Sequence, residues 1–334
     1  MRPVITSVVV TSFHRIGRRI GHRRLGMVDR RFGIGHVALG AFAALALSSV
    51  WNDAHAQAWV EDKGNLGLNL DYNLAISDKI VHDSTMATPD AGTTTQEFAI
   101  SAEYIPIPHL GVTASLPLVL LKYTGDKTLY PHPGGGSYDD GATHTTLTDL
   151  RAGVRYQVLE DPVALSPHLA VSIPVADYET IGNTVAGRHL KALHIGLSAG
   201  RLFNEALYAH AMYEFSLVEK YDRTAETKRF GQNRSDAAVT VGYKLLDQKL
   251  DVHLDGSMRI THGGISFDDL MNFSPDQLLY HDAILAEDVF LAGAGVSYQI
   301  TEALAANLGG RLFVTGSNTQ NASVFALGLA WSPL

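Results

Sequence analysis

Asp251, His253 and Asp255 stand at every second position of one stretch, and His210 and Glu214 stand four apart in an earlier one. Oxygen and imidazole ligands of this kind could hold a divalent metal. Strict alternation, however, puts such residues on one strand face whatever their role, and nothing in the spacing sets a coordination distance. They read as a solvated polar wall, with no metal and no cofactor. Two further pairs, Asp139-Asp140 and His281-Asp282, are the acidic and His–Asp types that a membrane hydrolase could use to activate water. They lie in separate loops that the sequence cannot bring together. An enzyme therefore ranks behind both a channel and a closed barrel, and no catalytic residue is assigned. Gly134-Gly135-Gly136 lacks the strand, helix and lysine of a phosphate-binding loop and reads as a flexible loop tip.

The element behind the first row is a β-hairpin over Ala237 to Ile260. Val239, Val241, Tyr243 and Leu245 alternate with Thr240, Gly242 and Lys244. After the turn Asp247-Gln248-Lys249, Leu250, Val252, Leu254, Met258 and Ile260 alternate with Asp251, His253, Asp255, Ser257 and Arg259. The same period recurs through about twelve strands. These are Gly64 to Ile76, a second around Phe98 to Tyr104, Leu110 to Leu121, Leu150 to Val158, His168 to Tyr178, Leu190 to Phe203, Ala206 to Leu217, the hairpin pair, Asp288 to Ile300, Ala303 to Gly316, and Ala322 to Ser332. Each is near the roughly ten residues of a tilted membrane strand.

Short turns (Ile105–His109, Leu159–Pro167, Asn204–Glu205, Asp247–Lys249, Thr301–Glu302) alternate with long polar loops (Ser77–Thr95, Lys122–Thr146, Glu179–His189, Val218–Arg234, Thr261–Glu287). On the apolar faces, Tyr104, Tyr156, Phe203, Tyr243, Tyr298 and Trp331 fall toward the short-turn rim. Tyr72, Phe98, Phe215, Phe290 and Phe325 fall toward the other. Two aromatic rings at fixed depth are the girdles of a membrane barrel. The expected fold is all-β: an up-and-down antiparallel transmembrane barrel with an apolar outside. Its lumen-facing candidates are Asp71, Glu97, Glu103, Arg151, Arg155, His210, Glu214, Lys244, Asp251, His253, Asp255, Arg259 and Arg311. Pro117 and Pro174 each lack an N–H for the ladder, so a bulge or a strand end is expected at each.

Ahead of the strands, Arg2 to Arg31 holds eight arginines and one acid, Ile34 to Val50 is apolar, and Ala54-His55-Ala56 fits an A-x-A cleavage site. Residues 1–56 read as a signal peptide, with Met27 an alternative start, and 57–334 as a single outer-membrane barrel of a Gram-negative bacterium. Removing the leader leaves 18 basic against 32 acidic residues, taking the net charge from −8 to −14. That balance excludes a nucleic-acid partner. With no cysteine there is no disulfide framework. No mature stretch approaches the roughly eighteen apolar residues of a helical span, so only a closed barrel could cross a bilayer.

In the loop before strand ten, Ser274-Pro275-Asp276-Gln277 has an N-cap, a first-turn proline and a glutamine three residues on, which is a capping box. A short helix is expected there, with a further turn over Ser266 to Met271. The lid candidates Leu278, Leu279 and Leu285 need cover at the barrel mouth.

Glu103-Tyr104 before a turn and a Leu-Pro strand, Thr148 to Tyr156, Ser172-Ile173-Pro174, and Gly295 to Thr301 through Gly316 to Thr319 resemble outer-membrane proteins associated with the meta-pathway of phenol degradation. Pro174-Val175-Ala176 stands where that family commonly has Pro-Thr-Gly. The resemblance covers most of the mature chain. It implies a barrel that transports small organic molecules, apolar or aromatic ones included. The partners expected are outer-membrane lipid, lipopolysaccharide, the barrel-insertion machinery and a small solute. The alternative is a closed structural barrel, locked by ion pairs between lumen acids and bases.

Overall fold

A computed structural model describes residues 58–82, 87–125, 138–267, 272 and 274–332. The leader over residues 1–56, the Gly134–Gly136 tip and residues 268–271 of the turn expected after Ser266 lie outside them.

Among the described residues sixteen strands form, in chain order β1 (Leu66–Ile76), β2 (Lys79–Val81), β3 (Ala87–Pro89), β4 (Thr93–Ile107), β5 (Leu110–Tyr123), β6 (Thr143–Leu147), β7 (Asp149–Tyr156), β8 (Ala164–Pro174), β9 (Ala192–Leu202), β10 (Leu207–Val218), β11 (Asn233–Leu245), β12 (Leu250–His262), β13 (Asp288–Gln299), β14 (Leu304–Ser317), β15 (Thr319–Gln320) and β16 (Ser323–Trp331). Each long strand pairs antiparallel with its sequence neighbours, and β16 pairs with both β14 and β1, which closes the sheet. Counting β6 and β7 as one interrupted strand, the barrel has twelve. Closure leaves no backbone edge to solvate, the condition for crossing a bilayer. β2, β3 and β15 make a small separate sheet, joined to the barrel through the long-loop connections.

Both prolines have local solutions. Ser115 pairs with Arg151 and Leu118 with Leu147, so two residues of β5 face three of the opposite strand. This one-residue bulge falls at Pro117, and its carbonyl still accepts from the Thr148 N–H at 3.2 Å. Pro174 is the last residue of β8. That strand therefore runs Ala164–Pro174, four residues earlier than the His168 to Tyr178 expected from alternation. Tyr178 belongs to the following loop and is buried beside Val119, Leu121 and Ala186.

The apolar face points outward. Ile100, Val154, Ile195, Val241, Leu254 and Leu308 are exposed, as are the girdle residues Tyr104, Tyr156, Phe203, Tyr243, Tyr298 and Trp331. The buried face is polar, with Glu103, Arg155, Glu214, Asp236, Asp251 and Arg259 among its members. A soluble barrel would reverse this arrangement.

Candidate functional site

Alternation delivers charged side chains to a confined lumen, where an unpaired charge is costly. Most of them meet across it. Arg155 on β7 donates from Nε and Nη2 to both Glu103 oxygens on β4, at 2.6 Å each. Arg151, four residues earlier in the same strand, reaches over β8 and β9 to Glu214 on β10, with Nη1 and Nη2 at 3.1 and 2.5 Å. His168 and His194 approach the same carboxylate at 2.8 and 3.1 Å. Arg259 pairs with Asp236 at 2.7 Å and Arg311 with Asp255 at 2.8 Å.

Asp251, His253 and Asp255 thus do not converge on one point. Asp251 accepts from the Tyr208 hydroxyl at 3.0 Å and contacts His253 Nδ1 at 3.1 Å, while Asp255 is held by Arg311. Among the described residues, no group of three or more His, Asp or Glu side chains is arranged to hold a metal. His210 is buried with Nε2 lacking a hydrogen-bond partner, and it does not contact Glu214 as its spacing suggested. Lys244 is buried near Asp251 and Glu61. Asp71 lines a mid-lumen cavity of about 60 Å³ with His253, Asp255, Asn307 and Arg311.

The short-turn end is filled by the chain that precedes β1, which alternation does not reveal. Ala58 and Trp59 are buried against Ala164. Ser166 Oγ donates to the Ala58 carbonyl at 2.6 Å, and the Val60 N–H donates to Gln157 Oε1 at 2.8 Å. Gly200 and Gly242 make room for rings here. A Cβ at the first would overlap Trp59 and at the second Tyr208. The sequence signal available was Trp59-Val60, an apolar pair just beyond the cleavage site.

The long-loop end is closed by an apolar cap. Ile80, Leu190, Tyr221, Ile265, Phe267, Ala283, Ile284 and Leu285 form one buried cluster drawn from four connections. Two short helices precede its last residue, α1 (Pro275–Leu279) and α2 (His281–Ile284), and the second contributes Ala283 and Ile284 to it. The capping box is present in both directions: the Ser274 N–H donates to Gln277 Oε1 at 2.9 Å, and the Gln277 N–H donates to Ser274 Oγ at 3.3 Å. Of the lid candidates, Leu285 is buried, and Leu278 and Leu279 are partly so. The helices rest on the β8–β9 loop, where the Gly182 N–H donates to the Leu279 carbonyl at 3.2 Å. This loop was expected only as a long polar connection. Instead, residues 184–188 turn inward and line a cavity of about 100 Å³ with Asn73, Glu97 and Val119 of the barrel wall. Gln320 Nε2 donates to the Asn183 carbonyl at 3.1 Å and ties the loop to the opposite side of the mouth.

The Asp139 and His281 loops do meet here, joined by Asn183. Asn183 donates to Asp139 Oδ2 from N and Nδ2 at 2.8 and 3.0 Å, and its Oδ1 is 3.1 Å from His281 Nε2. His281 Nδ1 contacts the Leu278 carbonyl at 2.7 Å, and burial holds the imidazole below its ordinary pKa. Both ring nitrogens are occupied and the ring is sealed from solvent, an arrangement that braces the cap and offers no base to a substrate. Burial also raises Tyr221, to about 12.

Asp282 is pushed up to about 8, by burial first and by neighbouring Glu287 second. The folded carboxyl holds its proton more tightly than the unfolded one. Its stabilising contribution is therefore full below the ordinary aspartate range and is lost as pH rises through about 8. Asp282→Asn is expected to flatten the pH dependence of stability between about pH 4 and pH 9. Denaturant titrations of both proteins check this, and parallel pH profiles would contradict it.

No protein-family model matches the chain, and no curated protein matches its sequence. Among solved structures it is similar to the COG4313 outer membrane channel from Pseudomonas putida F1, at 11% identity and a TM-score of 0.64, over 82% of this chain and 97% of that one. The translocator domain of autotransporter NalP from Neisseria meningitidis aligns at 9% identity and a TM-score of 0.49, over 81% and 89% of the two chains. The NanC porin aligns at 9% and 0.44, over 78% and 98%. The first likeness shows that the chain has the fold of outer-membrane barrels.

Proposed function

We propose that the protein is a channel of the Gram-negative outer membrane for small organic solutes, closed in the described state by its own loops. The observation that carries this reading is the construction of the mouth. The barrel wall is complete without the cap, since the β8–β9 loop and α1–α2 add nothing to the barrel ladder. Beneath them the lumen keeps cavities of about 100 and 60 Å³ with mixed polar and apolar walls. A wall that can stand alone, with a separable cover over unfilled space, suits a conduit better than a solid strut. The likeness to an outer membrane channel supports the same reading. Phenolic compounds are the solute class suggested by the sequence resemblance. The reading includes a cleaved leader over residues 1–56, a single barrel from 57 onward, insertion by the barrel-assembly machinery, and lipid and lipopolysaccharide around the apolar face.

Replacing Gly182–Gly187 with a short Gly-Ser linker tests it. In planar bilayers the variant should conduct at least several-fold more than wild type, with heat-modifiable gel migration unchanged. Uptake of labelled phenol by proteoliposomes reads the solute class. A correctly folded deletion that conducts no more than lipid alone would favour the closed structural barrel, for which the cross-lumen ion pairs are the specific argument.

A further inference from the structure

Arg234 differs from the other arginines of the lumen wall. Arg151, Arg155, Arg259 and Arg311 each hold a carboxylate. Arg234, second residue of β11, makes no side-chain hydrogen bond and no ion pair among the described residues, and its Nε is buried without a partner. Its electrostatic neighbours include two more cations, Arg188 and Arg259, with Glu287, Asp236 and Asp149 the acids. Asp236 is taken by Arg259, and Glu287 is shared between Arg188 at 3.5 Å and Arg259 at 3.9 Å. Arg188, from the inward loop, has a side chain only 10% exposed, and its Nη1 also lacks a partner. Within 4 Å, the three guanidiniums therefore have two carboxylates between them among the described residues, and neither is paired with Arg234. A buried N–H left unmet, with like charges close by, is a costly arrangement that a bound anion would relieve.

The surroundings select the anion. Arg188, though not Arg234, lines the cavity of about 100 Å³ under the cap, whose wall sets Ala75, Val119, Ala186 and Leu285 beside polar groups such as Asn73 and Thr184. An apolar cavity of ~150 Å³ accommodates benzene, so this one takes a body of about four heavy atoms. Glu97 from β4 and Glu287 from the cap face the same cavity and oppose a second negative charge. Asp282, also on the cavity wall, retains its proton at neutral pH. A planar guanidinium fork matches a carboxylate in particular.

We propose that Arg234 and Arg188 form a binding site for the carboxylate of a short-chain monocarboxylic acid, its alkyl tail lying in the cavity beneath the cap. This names a solute class for the channel and rests on that reading for the acid's way in.

The test is calorimetry on the purified full-length protein in detergent, with butyrate, its neutral isostere butyramide, and succinate as probes. Butyrate should bind, with butyramide and succinate at least tenfold weaker. Arg234→Gln should raise the butyrate Kd about tenfold, as expected for one lost charge-assisted contact. Arg234→Lys should fall between. Equal binding of butyrate and butyramide to wild type overturns the site whether or not the variants fold, and so does an unchanged Kd in folded Arg234→Gln. Butyrate binding without conductance in the loop-deleted protein would leave the site standing and overturn the channel reading.

Discussion

Replacing Leu254 with arginine is expected to destabilise the barrel by about 2–4 kcal/mol, whereas Leu246→Arg should cost only about 0–1 kcal/mol. The two leucines are almost equally exposed in the fold, at 67% and 64%. In water, exchanging either for arginine would matter little, because neither packs into a core. The difference arises from depth. Leu254 lies in β12 between Val241 and Ala294, well inside the strand, and Leu246 follows β11 in the short turn. A guanidinium at mid-strand must carry its charge into hydrocarbon or drag water and headgroups toward it, while one at the rim already sits among headgroups. Urea titrations in lipid vesicles would measure both. Equal costs would mean that the apolar face does not contact a bilayer interior.

The wall was legible because each strand states its own orientation. In β12 the alternation is unbroken from Leu250 to Asp255, and one residue of slip would bring Leu254 into the lumen and Asp255 to lipid. Tyr243 and Trp331 at strand ends indicate depth without any knowledge of neighbours. The capping box at Ser274 and Gln277 was legible for the same reason, since its bonds close within four residues. Pro117 announced an irregularity, although not that two residues would face three. The strand expected at His168 to Tyr178 was placed four residues late. Alternation runs only to Val175, because the next residue of the apolar face is Asp177; the strand ends at Pro174, which lacks a ladder N–H, and Tyr178 turns inside against Val119 and Leu121.

What fills the lumen was not legible, because it depends on which distant wall positions share a height. Glu214 and His210 share a strand face, yet Glu214 serves Arg151 from three strands away and His210 does not reach it. The inward course of residues 184–188 left one faint sign, the apolar pair Val185-Ala186 in an otherwise polar loop. Arg234 gave none. Its lack of a partner is a property of the assembled lumen, where Asp236, two residues along, belongs to Arg259.

The largest single loss is expected at Glu214. Its carboxylate lies between both Nη atoms of Arg151 and the rings of His168 and His194, and its side chain is only 2% exposed. Glu214→Ala removes the acceptor for all three and strands the Arg151 guanidinium in a site from which bulk water is largely excluded. Taking one partner from a buried pair typically costs about 3–5 kcal/mol, mostly as desolvation of the charge left behind. The Arg151→Met, Glu214→Leu double variant should recover most of that loss, because no charge is then left without its partner. The pair also bridges from β7 to β10 across two intervening strands, so its removal clears part of the lumen. On the channel reading, the double variant in the loop-deleted background should conduct more than the deletion alone. Urea midpoints of the single and double variants decide the energetic claim. A Glu214→Ala cost under about 1 kcal/mol would mean that water reaches Arg151 freely, and the carboxylate would then be part of an open, solvated wall rather than a brace.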